Sequence, residues 1–191
     1  MSAVKIIAPN DFITMPWRNG LGSTTEVLKH QSEDVFQWRL SMADVAHDGA
    51  FSDFSGYDRC LILINGAGLT LTDEKCQKWT LTRQLDEAHF KGEDHIDARL
   101  HDGPIRDFNL ITRRQKCSSK VFTSQQRANQ TIHLDGDLFL LFNVQGDASF
   151  KLNNNNREVL DEQHLMHLDP SSGSSCDCSG AAWIGILITY F

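Results

Sequence analysis

Apolar residues fall at alternate positions or in short unbroken runs through most of this chain, and few stretches show the three-and-four spacing of an amphipathic helix. Runs rich in Val, Ile, Leu, Phe and Thr predict strands at Thr24 to Leu28, Phe36 to Met42, Arg59 to Ile64, Leu69 to Thr72 and Asp107 to Thr112. Further strands are expected at Thr131 to Leu134, Leu138 to Val144, Ala148 to Leu152, His164 to Leu168 and Ala182 to Phe191. Turn-forming groups stand between them: Asn65-Gly66-Ala67-Gly68, Asp102-Gly103-Pro104, Asp135-Gly136-Asp137, Gln145-Gly146-Asp147 and the run Asn153 to Asn156. The fold class is therefore all-β, a sandwich or barrel, with helix confined to short pieces.

An internal echo divides the chain. The stretch from Arg59 to Leu71 is an apolar strand, a Gly turn and a second alternating strand, and the stretch from Leu138 to Leu152 repeats that order. Two β units are expected on this ground, residues 1–115 and 116–191, with the seam in the Lys-, Ser- and Gln-rich segment Gln115 to Gln126.

Alternation also sorts side chains by face. Phe36, Trp38, Leu40 and Met42 share one face of their strand, and Gln37, Arg39 and Ser41 the other. Asp107 and Asn109 likewise oppose Phe108, Leu110 and Thr112. A polar strand face is either solvated or turned into the polar interior of a small barrel, where Arg, Asp and Asn converge on a ligand, and periodicity does not separate the two.

Charge narrows the partners. Eighteen Lys and Arg stand against twenty-five Asp and Glu, a net charge of −7, which leaves no basic surplus for nucleic-acid phosphates or an anionic lipid surface. No apolar run approaches the roughly 20 residues of a membrane helix, and the N-terminal MSAVKIIAPNDF does not read as a secretory signal, so a cytoplasmic protein is expected. Cys60, Cys76, Cys117, Cys176 and Cys178 are then expected as reduced thiols, the last two in a flexible Ser/Gly-rich loop.

Candidate chemistry gathers in a few segments. In Met15-Pro-Trp-Arg-Asn-Gly-Leu-Gly-Ser-Thr-Thr-Glu, Asn19-Gly20 favours a tight turn and Gly22 permits close backbone approach, presenting Trp17 and Arg18 before a strand with Thr24 and Glu26 on one face. A surface hairpin with an Arg-Glu pair accounts for the same spacing. Phe51-Ser-Asp-Phe-Ser-Gly-Tyr-Asp-Arg59 ends on an Arg suited to fork onto a carboxylate, or to pair structurally with Asp58 or Asp107. His164 with His167, and His95 with His101, lack metal-ligand spacing, so no metal and no cofactor are expected. No phosphate loop, nucleophile elbow or Ser-His-Asp arrangement is recognisable, and no catalytic residue is assigned.

These segments carry a resemblance. Trp17-Arg18-Asn19-Gly20 with Gly22, Thr24 and Glu26, then Phe51-Ser52-x-Phe54-x-Gly56-x-x-Arg59, Gly66-x-Gly68, and Asp107-Phe108-Asn109-x-x-Thr112-Arg113 resemble, in order, the motifs of the HutD/Ves family. Leu21, Thr25, Ser55 and Ile111 depart from its usual residues. The resemblance implies a double cupin, two β-barrel units in one chain, with members tied to histidine utilisation, where HutD is thought to sense an intermediate such as N-formylglutamate, or to a stress response.

The expectation that follows is a metal-free cupin binding a small carboxylate in its N-terminal unit. Arg59 and Arg39 would fork onto the carboxylate, Arg18, Asn19 and Thr24 would line the rim, and Glu26, Asp107 and Asn109 would orient the arginines or the ligand's amide. One rival is an isomerase or lyase on a small acid, with Glu26 as general base. Another is an interaction protein that pairs through a sheet edge as a homodimer.

Overall fold

The computed structural model describes residues 4–17, 20, 22–32, 35–153 and 155–191. Apart from one 3-10 turn at Pro9–Asp11, its regular elements are strands, and they divide into two compact units. One unit is Phe12–Lys116, and the other is Cys117–Phe191 together with the N-terminal segment that ends at Asp11.

In unit Phe12–Lys116 the strands are β2 (Ile13–Pro16), β3 (Gly22–Ser32), β4 (Val35–Val45), β5 (Gly49–Ala50), β6 (Tyr57–Asn65), β7 (Leu69–Asp73), β8 (Lys78–Leu81), β9 (Glu87–Lys91), β10 (Ile96–Leu100) and β11 (Ile105–Arg113). They follow β1 (Lys5–Ile7), which belongs to the other unit. Six form one antiparallel sheet in the order β2-β3-β4-β11-β6-β9, and four form a second, β5-β10-β7-β8. Leu61, Leu63 and Ala88 from the larger sheet pack with Leu69, Leu71, Leu81, Ile96 and Ala98 from the smaller one. Cys60, Ile62 and Ile64 are buried as well, so β6 is covered on both faces, which explains its unbroken apolar run. The turn from β6 into β7 holds Gly66 and Gly68 at φ of 104° and 119°, and a Cβ on Gly68 would lie 2.4 Å from the Leu81 carbonyl oxygen.

The other unit adds β12 (Cys117–Thr123), β13 (Asn129–His133), β14 (Leu138–Leu152), β15 (Glu158–Leu160), β16 (Leu165–Leu168) and β17 (Ser175–Tyr190) to β1. The central order is β1-β16-β14-β17-β12, with β13 on β17 and β15 on β14. The long pair β14 and β17 is its spine, and its core holds Phe139, Leu141, Phe150, Met166, Trp183 and Leu187.

Several expectations need correction. Residues 5–7, assigned by sequence to the first unit, pair with β16. Within the expected seam, Cys117–Thr123 is a strand along β17, with Ser118 and Lys120 exposed on one face and Cys117 and Thr123 buried on the other. Gln145-Gly146-Asp147 does not end a strand: β14 runs through it with register shifts, and Asn143 Nδ2 holds the irregularity by donating to the Gly146 and Leu160 carbonyls at 2.8 Å each. The Cys176 and Cys178 segment is not a loop but the start of β17. Both thiols are buried, 3.6 Å apart, because cysteine alternating with polar residues serves as the apolar half of a strand pattern. β8, β9 and β10 stand where no strand was expected, because charged residues at their outward positions weaken the apolar pattern.

Candidate functional site

A cavity of about 460 Å³ opens in unit Phe12–Lys116. Its floor is one face of the larger sheet: Arg39, Ser41, Ala43 and Val45 from β4, Asp107, Asn109 and Ile111 from β11, and Arg59 from β6. Alternation within each strand puts these groups together, and the register aligns them across strands. Ile111 is paired with Arg39 on one side and Arg59 on the other, so the two arginines flank it at a Cα separation of about 10 Å, two strand spacings. Asn109 is opposite Ser41, and Asp107 opposite Ala43.

Arg59 is only 7% exposed. The rings of Phe51, Phe54 and Phe90 surround its guanidinium carbon at 5.2, 5.3 and 5.0 Å, a cation–π setting that offsets desolvation without using N–H donors. Nη2 donates to Asn109 Oδ1 at 2.8 Å, and Nη1 reaches the Ser52 carbonyl at 3.4 Å. Nε is buried with no hydrogen-bond partner among the described residues. Burial pushes Arg59 down to about 10, with Asp107 opposing the shift and Arg39 adding to it.

Asp107 is 1% exposed and accepts from Asn109 Nδ2, while its Oδ2 has no partner among the described residues. Burial raises it to about 7; Arg59 pulls it down, Asp44 pushes it further up, and the Asn109 bond pulls it down again. Asn109 is thus the link of a relay from Arg59 to Asp107, with both ends of its amide engaged.

The rim comes from chain before β3. Trp17 Nε1 donates to Thr24 Oγ1 at 2.8 Å, and both residues line the cavity. Gly22 makes the approach feasible, since a Cβ there would meet the Asp44 carbonyl oxygen at 2.3 Å and the Trp17 ring at 2.9 Å.

Of the sequence-designated residues, Thr24, Arg39, Arg59, Asp107 and Asn109 line this cavity. Glu26 does not. Its carboxylate lies 3.1 Å from Arg39 Nε and 3.3 Å from Lys29 Nζ, so it acts on the cavity through Arg39. Arg18 and Asn19 lie outside the described residues. Asp58, offered as a structural partner for Arg59, pairs instead with Arg114 at 2.8 Å. Ser41, Phe51, Phe54, Ile111 and Trp17 line the cavity without being among the expected site residues; Ser41 shares its polar strand face with Arg39, and the two Phe stand in the segment leading to Arg59. Among the described residues one group of three metal-ligating side chains gathers, Cys60, Glu87 and His89, and none of them lines the cavity.

The HutD family model matches residues 9–186. An uncharacterized 21.2 kDa protein from the hutC 3' region of Pseudomonas putida is 37% identical over 123 residues, 63% of this chain and 64% of that protein. Protein Ves of Cronobacter sakazakii is 38% identical over 106 residues, 55% of this chain and 58% of Ves. The match therefore spans less than two thirds of either relative. The solved HutD of Pseudomonas fluorescens SBW25, determined in a formate condition, superposes with a TM-score of 0.86 at 30% identity, covering 99% of this chain and 100% of that one. An oxalate decarboxylase variant of Bacillus subtilis superposes at 0.60 with 7% identity over 95% of this chain and 76% of that one, a likeness of fold alone that makes this a cupin-type all-β fold. No helix among the described residues is long and apolar enough to cross a membrane.

Proposed function

The chain belongs to the HutD family, and from that premise we propose that it is a double cupin whose Phe12–Lys116 unit binds a small carboxylate metabolite in the 460 Å³ cavity. The observation that carries this reading is the buried Arg59 guanidinium, clasped by three rings yet left with an Nε that no described residue partners, in a cavity that Arg39 shares. Two cations on one wall repel, and an anion between them relieves that repulsion while displacing water from donors that the described residues leave unsatisfied. No metal ion is needed to hold such a ligand. Thr24 and Ser41 offer hydroxyls to its polar end, and Phe51, Phe54 and Ile111 pack its carbon chain.

The ligand class is a small N-acyl amino acid or related acid of the N-formylglutamate type, and the role is a sensor in histidine utilisation or a stress response. Calorimetry and thermal shift with N-formylglutamate, urocanate and glutamate test this. At least one should bind to the parent protein, and Arg59→Ala should weaken it by about 2 to 5 kcal/mol. No binding by any small carboxylate, or binding indifferent to Arg59, would refute the reading.

One observation favours a second reading. Asp107, held near 7 inside the cavity, is suited to take up or release a proton at neutral pH, as a general acid–base group must. Turnover of a bound acid, lost in Asp107→Asn while binding persists, would make the protein an isomerase or lyase. Glu26, paired with Arg39 and Lys29, is not placed for that task.

A further inference from the structure

We propose that Cys60, Glu87 and His89 form a binding site for a borderline divalent cation of the Zn²⁺ class, on the face of the larger sheet opposite the cavity. Cys60 follows Arg59 on β6, so the two side chains leave the sheet in opposite directions. Strand pairing assembles the rest: His89 on β9 is directly opposite Cys60, and Glu87, two residues before it, shares its face. The site is therefore one cross-strand pair plus one same-strand neighbour, and it does not depend on the carboxylate reading of the cavity.

The donor geometry is that of ligands around a shared centre. Cys60 Sγ and His89 Nε2 are 3.7 Å apart, His89 Nε2 and Glu87 Oε1 are 3.7 Å apart, and the three ligand atoms lie within 4.8 Å of one another. Zn–S bonds of about 2.3 Å and Zn–N or Zn–O bonds of about 2.0 Å at tetrahedral angles separate donors by roughly 3.3 to 3.6 Å, so a small side-chain adjustment brings all three onto one ion. As a hydrogen bond the His89 to Glu87 contact is too long.

A second observation points the same way. Glu87 Oε2 is buried with no hydrogen-bond partner among the described residues, an expense that a cation removes. Cys60 is 4% exposed, whereas the His89 and Glu87 side chains are 60% and 31% exposed, which leaves an entry path from solvent. Thiolate, imidazole and carboxylate select a borderline ion over Mg²⁺ or Ca²⁺, and three protein ligands leave a fourth position for water. Bound there, the ion ties β9, at the sheet edge, to β6.

The test is Co²⁺ titration of chelator-treated full-length protein, read by absorbance, followed by displacement with Zn²⁺. One equivalent should produce a thiolate-to-cobalt band in the near ultraviolet together with tetrahedral visible bands. Cys60→Ser should abolish the ultraviolet band, and His89→Gln should weaken binding by at least about tenfold, since loss of even an outer partner of a metal ligand costs 10- to 100-fold. Cys76→Ser, at the exposed cysteine, should change neither. Because Cys60 is buried and its variant is at risk of misfolding, His89→Gln and Glu87→Gln, at more exposed side chains, decide the matter on their own. No thiolate band in the parent, a band retained in Cys60→Ser, or unchanged affinity in folded His89→Gln and Glu87→Gln would overturn the proposal.

Discussion

Asn109 Oδ1 accepts a 2.8 Å hydrogen bond from Arg59 Nη2, fifty positions away in the chain and one strand away in the sheet. That bond aims the guanidinium along the cavity floor, and the same amide then donates to Asp107. Asn109→Ala removes both. Hydrogen bonds to charged groups contribute about 1.5 to 3 kcal/mol, and the change leaves two buried ionisable groups short of a partner. Thermal denaturation should show a lower Tm, and calorimetry a weaker carboxylate complex. An unchanged Tm would mean that the relay does not contribute to stability.

Arg59→Lys keeps the charge but loses the planar fork and its stacking against Phe51, Phe54 and Phe90. Carboxylate affinity should fall by a large fraction of the loss in Arg59→Ala, even though the local charge is conserved. Lysine restoring parental affinity would show that the site reads charge alone.

Asp107 makes stability depend on pH in an unusual direction for a carboxyl group. Its pKa rises from 3.8 unfolded to about 7 folded, so between those values the folded chain holds one proton more than the unfolded chain. Stability attributable to this group is complete below about pH 3.8 and is lost as pH climbs to about 7. Asp107→Asn should flatten the Tm profile across that window and be the more stable form above it. Parallel profiles for parent and variant would contradict the placement of this carboxyl.

The same proton bears on ligand affinity. Neutral Asp107 leaves the positive charge of Arg59 uncompensated, whereas ionised Asp107 competes with an incoming anion. Calorimetry at pH 6 and pH 8 should show the tighter complex at pH 6 and proton uptake on binding. The preference should vanish in Asp107→Asn.

At the surface, Arg114 clamps Glu93 through two bonds of 2.9 and 3.0 Å and Asp58 through a third of 2.8 Å. The Arg114 bond holds Glu93 down to about 2 against an ordinary 4.5. Stability from this contact is complete above about pH 4.5 and is lost as pH falls toward 2, the opposite sign from Asp107. Glu93→Gln should remove that component of acid unfolding and leave the neutral-pH cavity behaviour untouched.

Local alternation was enough to read the β class, most of the long strands and the polar faces that hold Arg39, Ser41, Asp107 and Asn109, because side-chain direction in a strand depends only on position parity. The apolar run within Arg59 to Ile64 marked a strand, and its burial on both faces emerges only in the folded β6. Short strands with charged outward positions, such as Glu87–Lys91, carry too weak an apolar contrast to mark them, and the Ser/Gly-rich setting of Cys176 and Cys178 reads as a loop although both thiols are buried in β17.

What alternation does not contain is which strand lies beside which. Register decided that Arg39 and Arg59 flank Ile111, that Asn109 reaches Arg59 and that Cys60 meets His89, and beside a register shift that follows Glu26 its carboxylate pairs with Arg39. Those pairings join residues tens of positions apart, and their energies come from burial and charge that exist only once the sheets have formed. A single strand specifies the direction in which each side chain points, and the assembled sheet specifies what it meets there.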